Sequence, residues 1–200
     1  MLTRGRPVAA AARQLDTLRV LHPDWNIEMH INSMCVSLAR SEVVAEARQY
    51  DSNYLVMIDD DVVVGAAGIA RLPLHDLPVV SGIVPTWKDG RFHFAAYDLE
   101  DGILRSIQLG SGIRQVYAVG AACLCIRRDV LQMTDQDPLF GFDRNDDGTL
   151  KPFGAEDMTF CRKMYRNCVS VWVDQDVVGE HVTDIEMFRT MEEQCASSDS

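Results

Sequence analysis

The chain has 200 residues and a formal charge of -11, from 19 Lys and Arg against 30 Asp and Glu. That length predicts one domain, and a composition 47% hydrophobic and 24% charged excludes a disordered, collagenous or coiled-coil chain. The excess of acid removes long-range attraction to phosphate backbones and anionic lipid, so nucleic acid is not expected as the main partner. A phosphate ligand would instead call for a divalent cation bridging it to carboxylates.

The N-terminal stretch MLTRGRPVAAAARQLDTL is interrupted by Arg13 and Asp16 before an apolar run forms, so no signal peptide is expected. No segment approaches the roughly 18 apolar residues of a membrane span, and a cytoplasmic protein is expected. The cysteines Cys35, Cys123, Cys125, Cys161, Cys168 and Cys195 form no CxxC pair, which excludes a zinc ribbon or a thioredoxin motif and predicts reduced thiols. Spacing predicts that Cys123 and Cys125 share one buried face, and that Cys161 and Cys168 share another.

In chain order, Pro7 suits the first turn of a helix running to about Val20, and Ile27, Met29 and Ile31 alternate as in a half-buried strand. Val36, Ala39, Val43 and Ala47 recur at helical spacing, with Arg40, Glu42, Glu46 and Arg48 on the polar faces. Residues 54–58 (YLVMI) are continuously apolar, as in a strand covered on both faces, and stop abruptly at Asp59-Asp60-Asp61. A short helix and a second buried strand (LPVVSGIV) follow. Residues 92–127 then change to short alternating runs broken at Asp101-Gly102 and Gly110-Ser111-Gly112, which predicts antiparallel hairpins and a mixed α/β topology. Residues 134–153 lack a period and predict a long loop, followed by a helix from about Ala155 to Asn167. A strand at VSVWVD, a turn at Gly179-Glu180-His181, a short helix and a polar tail at 191–200 complete the chain.

Three carboxylates at the end of a buried strand repel one another unless a cation neutralises them. In extended backbone Asp59 and Asp61 point to one side and Asp60 to the other, so the pair suits a hard cation with oxygen ligands; helix capping or solvation in a turn is the competing explanation. His181 becomes a further ligand if its turn lies beside Asp61. Glu156 and Asp157, in the first turn of a helix after the long loop, read either as acids favoured by the helix dipole or as a general base toward an alcohol.

The order of these parts resembles the GT-A glycosyltransferases, particularly family-2-like enzymes similar to small phage-encoded ones. Leu38-Ala39-Arg40, the strand with Asp59-Asp60-Asp61-Val62, and Val79-Val80-Ser81-Gly82 look like that family's nucleotide-binding half, about residues 1–85. The segment VYAVGAACLCIRR (116–128), then GAEDMTFCR (154–162) and Gly179-Glu180-His181, resemble its acceptor half, about 86–190. The resemblance implies a single GT-A-like domain over 1–190 and a UDP- or GDP-sugar donor. It implies Mn2+ or Mg2+ on Asp59 and Asp61 with His181 as a further ligand, and donor contacts from Arg40, Asp59, Asp60 and Asp61. Sugar transfer to an acceptor hydroxyl with inversion then has Asp157 as base and Glu156 as the second candidate. Three departures stand out: only Met1-Leu2-Thr3 precedes Arg4 where the family has a full first strand, Ser41 stands where Asn is usual, and Ala155 separates Gly154 from Glu156.

Two other readings compete. A GT-A-like chain with an incomplete first strand can hold a nucleotide or glycan without turnover. A nucleotidyltransferase also places a metal on phosphates, but its Gly-rich phosphate loop is missing here. Asp143-Arg144-Asn145-Asp146-Asp147-Gly148 reproduces half of a calcium loop, yet its twelfth position is Gly154 rather than Glu, so a turn-rich loop is expected. Trp87, Phe92, His93 and Phe94 are read as hairpin packing in preference to sugar stacking.

Overall fold

A computed structural model describes residues 2–3, 9–31, 35–88, 91–151 and 154–182. Along the chain the elements are β1 (Leu2–Thr3), α1 (Ala9–Leu21), β2 (His30–Ile31), α2 (Val36–Ala47), β3 (Tyr54–Ile58), β4 (Val62–Val63), α3 (Ala66–Leu74) and β5 (Val79–Ile83). Then come β6 (Pro85–Lys88), β7 (Arg91–Phe94), β8 (Ala96–Glu100), β9 (Ile103–Ser106), β10 (Ile113–Val116), β11 (Ala118–Val119) and β12 (Cys123–Arg127). The last are α4 (Arg128–Leu131), α5 (Glu156–Arg166), β13 (Val171–Val178) and β14 (Glu180–His181). Pro7, Cys195, the expected C-terminal helix and the tail lie outside the described residues.

The central sheet has the order β10-β13-β5-β12-β3. β13 runs parallel to β5, while β12 is antiparallel to both β5 and β3, and β10 is antiparallel to β13. The sheet is therefore mixed, as the switch from helix–strand alternation to hairpins predicts.

Alternation along the buried strands sends successive side chains into two apolar layers. On β12, Leu124 and Ile126 join a core with Val44 of α2 and Phe160, Cys161 and Met164 of α5. Cys123 and Cys125 join the opposite core with Leu15 and Leu18 of α1 and Ile69 and Leu72 of α3. The result is a three-layer α/β/α arrangement, with helices covering both faces of the sheet. Phe140, from the long loop, stacks on Phe160 with ring centroids 4.6 Å apart and caps the α5 layer.

Several sequence expectations need correction. Cys123 and Cys125 do share a buried face, but Cys168 is exposed while Cys161 is buried: α5 ends at Arg166, so helical spacing does not extend to Cys168, which takes φ 57°. The strand read from Ile27 to Ile31 is only His30–Ile31, paired in parallel with Leu2–Thr3. Gly179-Glu180-His181 is not a turn, because Glu180 and His181 pair antiparallel with Val63 and Val62. Tyr54, Leu55 and Val56 are only half-buried, whereas Met57 and Ile58 are buried.

The half-burial follows from the position of β3 at the sheet edge. Amides of Asp59 and Arg128 donate to the carbonyls of Ala122 and Asn53, which fixes the phase of the ladder: Leu55 and Met57 point their backbone groups at β12. Tyr54, Val56 and Ile58 point theirs away, where they have no hydrogen-bond partner among the described residues. That edge opens into a groove of about 500 Å³ walled by Leu15, Leu18, Ile27, Val43 and Ile69.

Candidate functional site

The triple aspartate does not continue as a strand. The Asp59 amide donates to the Ala122 carbonyl, Asp60 and Asp61 form a turn, and the Val62 amide donates to the Asp59 carbonyl. The turn replaces the extended backbone whose alternation would have aligned the two carboxylates, although the Asp61 charge still acts on Asp59. Gln14 of α1, itself buried, holds the following backbone: its Oε1 accepts from the amides of Val64 and Gly65 at 2.7 and 3.0 Å.

Pairing of β14 with β4 brings His181 beside Asp61. The register sets His181 opposite Val62, the Val182 amide donates to the Asp61 carbonyl, and His181 Nδ1 lies 3.7 Å from Asp61 Oδ2. Two of the three expected metal ligands thus approach each other. The third, Asp59, is engaged elsewhere, since both its carboxylate oxygens accept from Arg40 Nη2 at 2.9 and 3.0 Å. Among the described residues, the trio of potential ligands whose atoms all lie within 4.8 Å is Glu28, His30 and Glu46, a different place in the fold.

Arg40 is the centre of the cleft. Sequence spacing puts it on a polar face of α2, but it is 3% exposed, with Nη1 donating to Glu156 and Nη2 to Asp59. Its Nε is a buried donor without a hydrogen-bond partner among the described residues. A buried N–H of this kind costs about 1–3 kcal/mol unless a ligand or water accepts it, and it lies in a cleft. Helix α5 delivers the two acids: Glu156 turns to Arg40, and the Oδ1 of half-buried Asp157 accepts from the Met158 amide at 2.7 Å. Asp157 therefore takes part in capping its helix, as the dipole argument expects, without giving up its second oxygen.

The cleft holds about 270 Å³ and gathers Arg40, Asp59, Glu156, Asp157 and His181 with Gly82 and Gly120. Burial pushes the carboxyls of Asp59, Glu156 and Asp157 above their ordinary values; the nearby Arg40 charge opposes this at all three without overcoming it. Carboxylates outnumber cationic partners here, so the cleft favours added positive charge.

Gly120 is a contributor that sequence reasoning missed as a site residue. A Cβ there would meet Ala95 Cβ at 2.8 Å and sit 3.9 Å from Asp157 Oδ2, so glycine lets this hairpin close against the acid. Ser81 fastens the same wall, its hydroxyl lying 3.1 and 3.0 Å from the carbonyls of Gly120 and Cys123. The signal available in sequence was the run of small residues Gly120-Ala121-Ala122, all of which line the cleft.

The half calcium loop is a turn. Asp147 Oδ1 accepts from the amide and hydroxyl of Thr149 at 2.9 and 2.6 Å, and Asp143 pairs with Lys151 and Arg162. In the β6–β7 hairpin Trp87 is registered opposite Phe92, whose side chain is exposed.

No family model matches the sequence, and no curated protein matches it. Solved structures do. The chain is similar to the structure of A197 from STIV, with 16% identity, 86% of this chain and 78% of that one covered, and a TM-score of 0.57. It is also similar to GalNAc-T7 with UDP, GalNAc and Mn2+, at 11% identity over 90% of this chain, with a TM-score of 0.50. The match spans 36% of the GalNAc-T7 chain. At these identities the likeness shows the fold: a mixed α/β domain compatible with a GT-A-like arrangement. No helix of the described residues is long and apolar enough to cross a membrane.

Proposed function

We propose that the chain is a metal-dependent glycosyltransferase that moves a sugar from a UDP- or GDP-sugar to an acceptor hydroxyl. One observation carries the reading: a single cleft collects Arg40, Asp59, Glu156, Asp157 and His181 from four separate stretches of chain.

Asp61 and His181 fit a divalent cation, because an imidazole and a carboxylate already face each other beside an electron-rich cleft. Asp59 joins them only where Arg40 releases its oxygens. Mn2+ or Mg2+ held there supplies Lewis acidity to the diphosphate oxygens as negative charge develops on the leaving group. The remaining work falls to side chains of the chain itself. Arg40 offers its Nε–H, which has no partner among the described residues, to a phosphate oxygen, whose charge the bound cation offsets. Asp60, in the turn that follows Asp59, is assigned as a further contact to the donor. Asp157 accepts the acceptor's proton as its oxygen attacks the anomeric carbon with inversion, and its raised pKa improves it as a base so long as it stays ionised. Glu156 is held by Arg40 and serves to position that guanidinium.

The test is release of UDP or GDP from a panel of nucleotide sugars with Mn2+, with Mg2+ and with EDTA. Metal-dependent release is expected, together with loss of release in Asp61→Ala and a fall of about 10²–10⁴-fold in transfer in Asp157→Asn. Metal-dependent binding of a donor without release would favour a non-catalytic nucleotide-binding protein, a reading supported by the hold of Arg40 on Asp59. Absence of both binding and release overturns the proposal.

A further inference from the structure

The large groove beside β3 has its own cluster of ligating groups, far from the requirements of sugar transfer. Glu28 and His30 are two residues apart on the segment that ends in β2, and Glu46 comes from the last turn of α2. His30 Nε2 lies 2.9 Å from Glu46 Oε2 and 3.9 Å from Glu28 Oε2, and one ligand atom from each residue falls within 4.8 Å of the others. The two carboxylates are turned in the same sense. Each presents Oε2 to the imidazole, while the outer oxygens are held from behind: Tyr50 Oη lies 2.7 Å from Glu28 Oε1 and 3.5 Å from Glu46 Oε1, and Asn26 Nδ2 donates to Glu28 Oε1 at 2.8 Å.

An ordinary surface ion pair needs one carboxylate and no outer shell. Here two carboxylates converge on one imidazole, and neutral hydrogen-bond donors orient their far oxygens. This is the pattern of a ligand set with its supporting shell. We propose that Glu28, His30 and Glu46 form a second divalent-metal site, of the zinc class, on the wall of the groove. One nitrogen and two oxygens suit Zn2+ or a similar transition-metal ion, with water completing the coordination. Ca2+ prefers six to eight oxygens, and Mg2+ keeps several waters in an octahedral oxygen shell, so a compact set of one nitrogen and two oxygens favours the transition-metal ion over either. The ion would tie the 24–30 segment to the end of α2, two walls of the same groove that otherwise meet through exposed side chains.

The full chain, with the exposed thiols Cys35 and Cys168 alkylated to remove competing ligands, is dialysed against Zn2+ and its retained metal is measured. Saturable retention of about one ion at this site is expected, undisturbed by excess Mg2+. His30→Ala and Glu46→Gln are each expected to weaken it by about tenfold or more, whereas Asp61→Asn, at the other site, leaves it unchanged. Far-UV dichroism and unfolding in EDTA establish that each variant is folded, and His30→Gln replaces His30→Ala if the latter is not. The proposal is overturned if retention is absent, if it survives both His30 and Glu46 substitutions, or if it disappears in Asp61→Asn.

Discussion

Two concave regions among the described residues are built on opposite principles. The larger, about 500 Å³, lies beside β3, whose outward backbone groups have no hydrogen-bond partner among the described residues, and its walls are apolar side chains interrupted by Glu28, His30 and Glu46. The smaller, about 270 Å³, lies where α2, β5 and α5 converge on the end of β3, and its floor is charge. Size therefore does not mark the chemistry. The groove is space left by a sheet edge, whereas the cleft contains buried carboxylates whose proton affinities have been raised, a guanidinium between two of them, and an orphan N–H.

The comparison predicts different responses to truncation. The sharpest break comes at Arg40, where Arg40→Ala strands Asp59 and Glu156 without their shared cation. We expect a loss of about 3–5 kcal/mol in urea unfolding, with most of it recovered when Asp59→Asn and Glu156→Gln are added. If the single change costs under about 1 kcal/mol, the cleft is solvated and the contrast with the groove collapses.

A smaller difference separates the apolar walls from the core. Leu124 is fully buried in the middle of the sheet, and Leu124→Ala should cost about 3–5 kcal/mol. Leu15 lines the groove, where neighbouring side chains have room to settle, so Leu15→Ala should cost about 2–3 kcal/mol by the same unfolding measurement. Equal losses would show that the groove is filled or closed in solution.

The smallest effect is a pH dependence in the absence of metal. The three cleft acids have folded pKa values above their unfolded ones, about 3.9 for Asp and 4.3 for Glu. Their contribution to stability is complete below those unfolded values and is lost as pH rises through the raised folded values, because the unfolded chain ionises first. Asp157→Asn, which cannot ionise, should match wild type in acid and become the more stable of the two toward neutral pH. That would pair a gain in stability with the loss of transfer activity. Unfolding of both proteins in EDTA across pH 3–8 reads the divergence, and parallel curves would remove the burial argument for Asp157.

Much of this architecture was legible from one-dimensional pattern. The continuous apolar run at 54–58 and the segment LPVVSGIV became strands of the central sheet, and the break at Asp101-Gly102 became the β8–β9 hairpin, whereas Gly110-Ser111-Gly112 joins β9 to β10, which pairs with β13 instead. Positions decided by distant contacts were not legible. Arg40 sits in sequence on a polar face of α2, and only its meeting with Glu156, from a helix more than a hundred residues later, makes it a buried centre. The closeness of His181 and Asp61 was anticipated only as a condition. It is set by two strands of two residues each, too short to leave a periodic signal. The same limit explains the Asp59-Asp60-Asp61 turn, where chain reversal overrides the alternation that extended backbone would impose.

The outward-facing amides and carbonyls of Tyr54, Val56 and Ile58 bear on self-association. A bare edge of a flat sheet is a template on which copies stack into fibrils. Here that edge, unpaired among the described residues, lies at the bottom of a trough whose walls are helices and the 24–30 segment, which stand between it and a second sheet. Partial opening of α1 would remove one wall and expose three consecutive bonding positions at once. The seating of α1 therefore bears on protection of this edge as well as on the packing of the core.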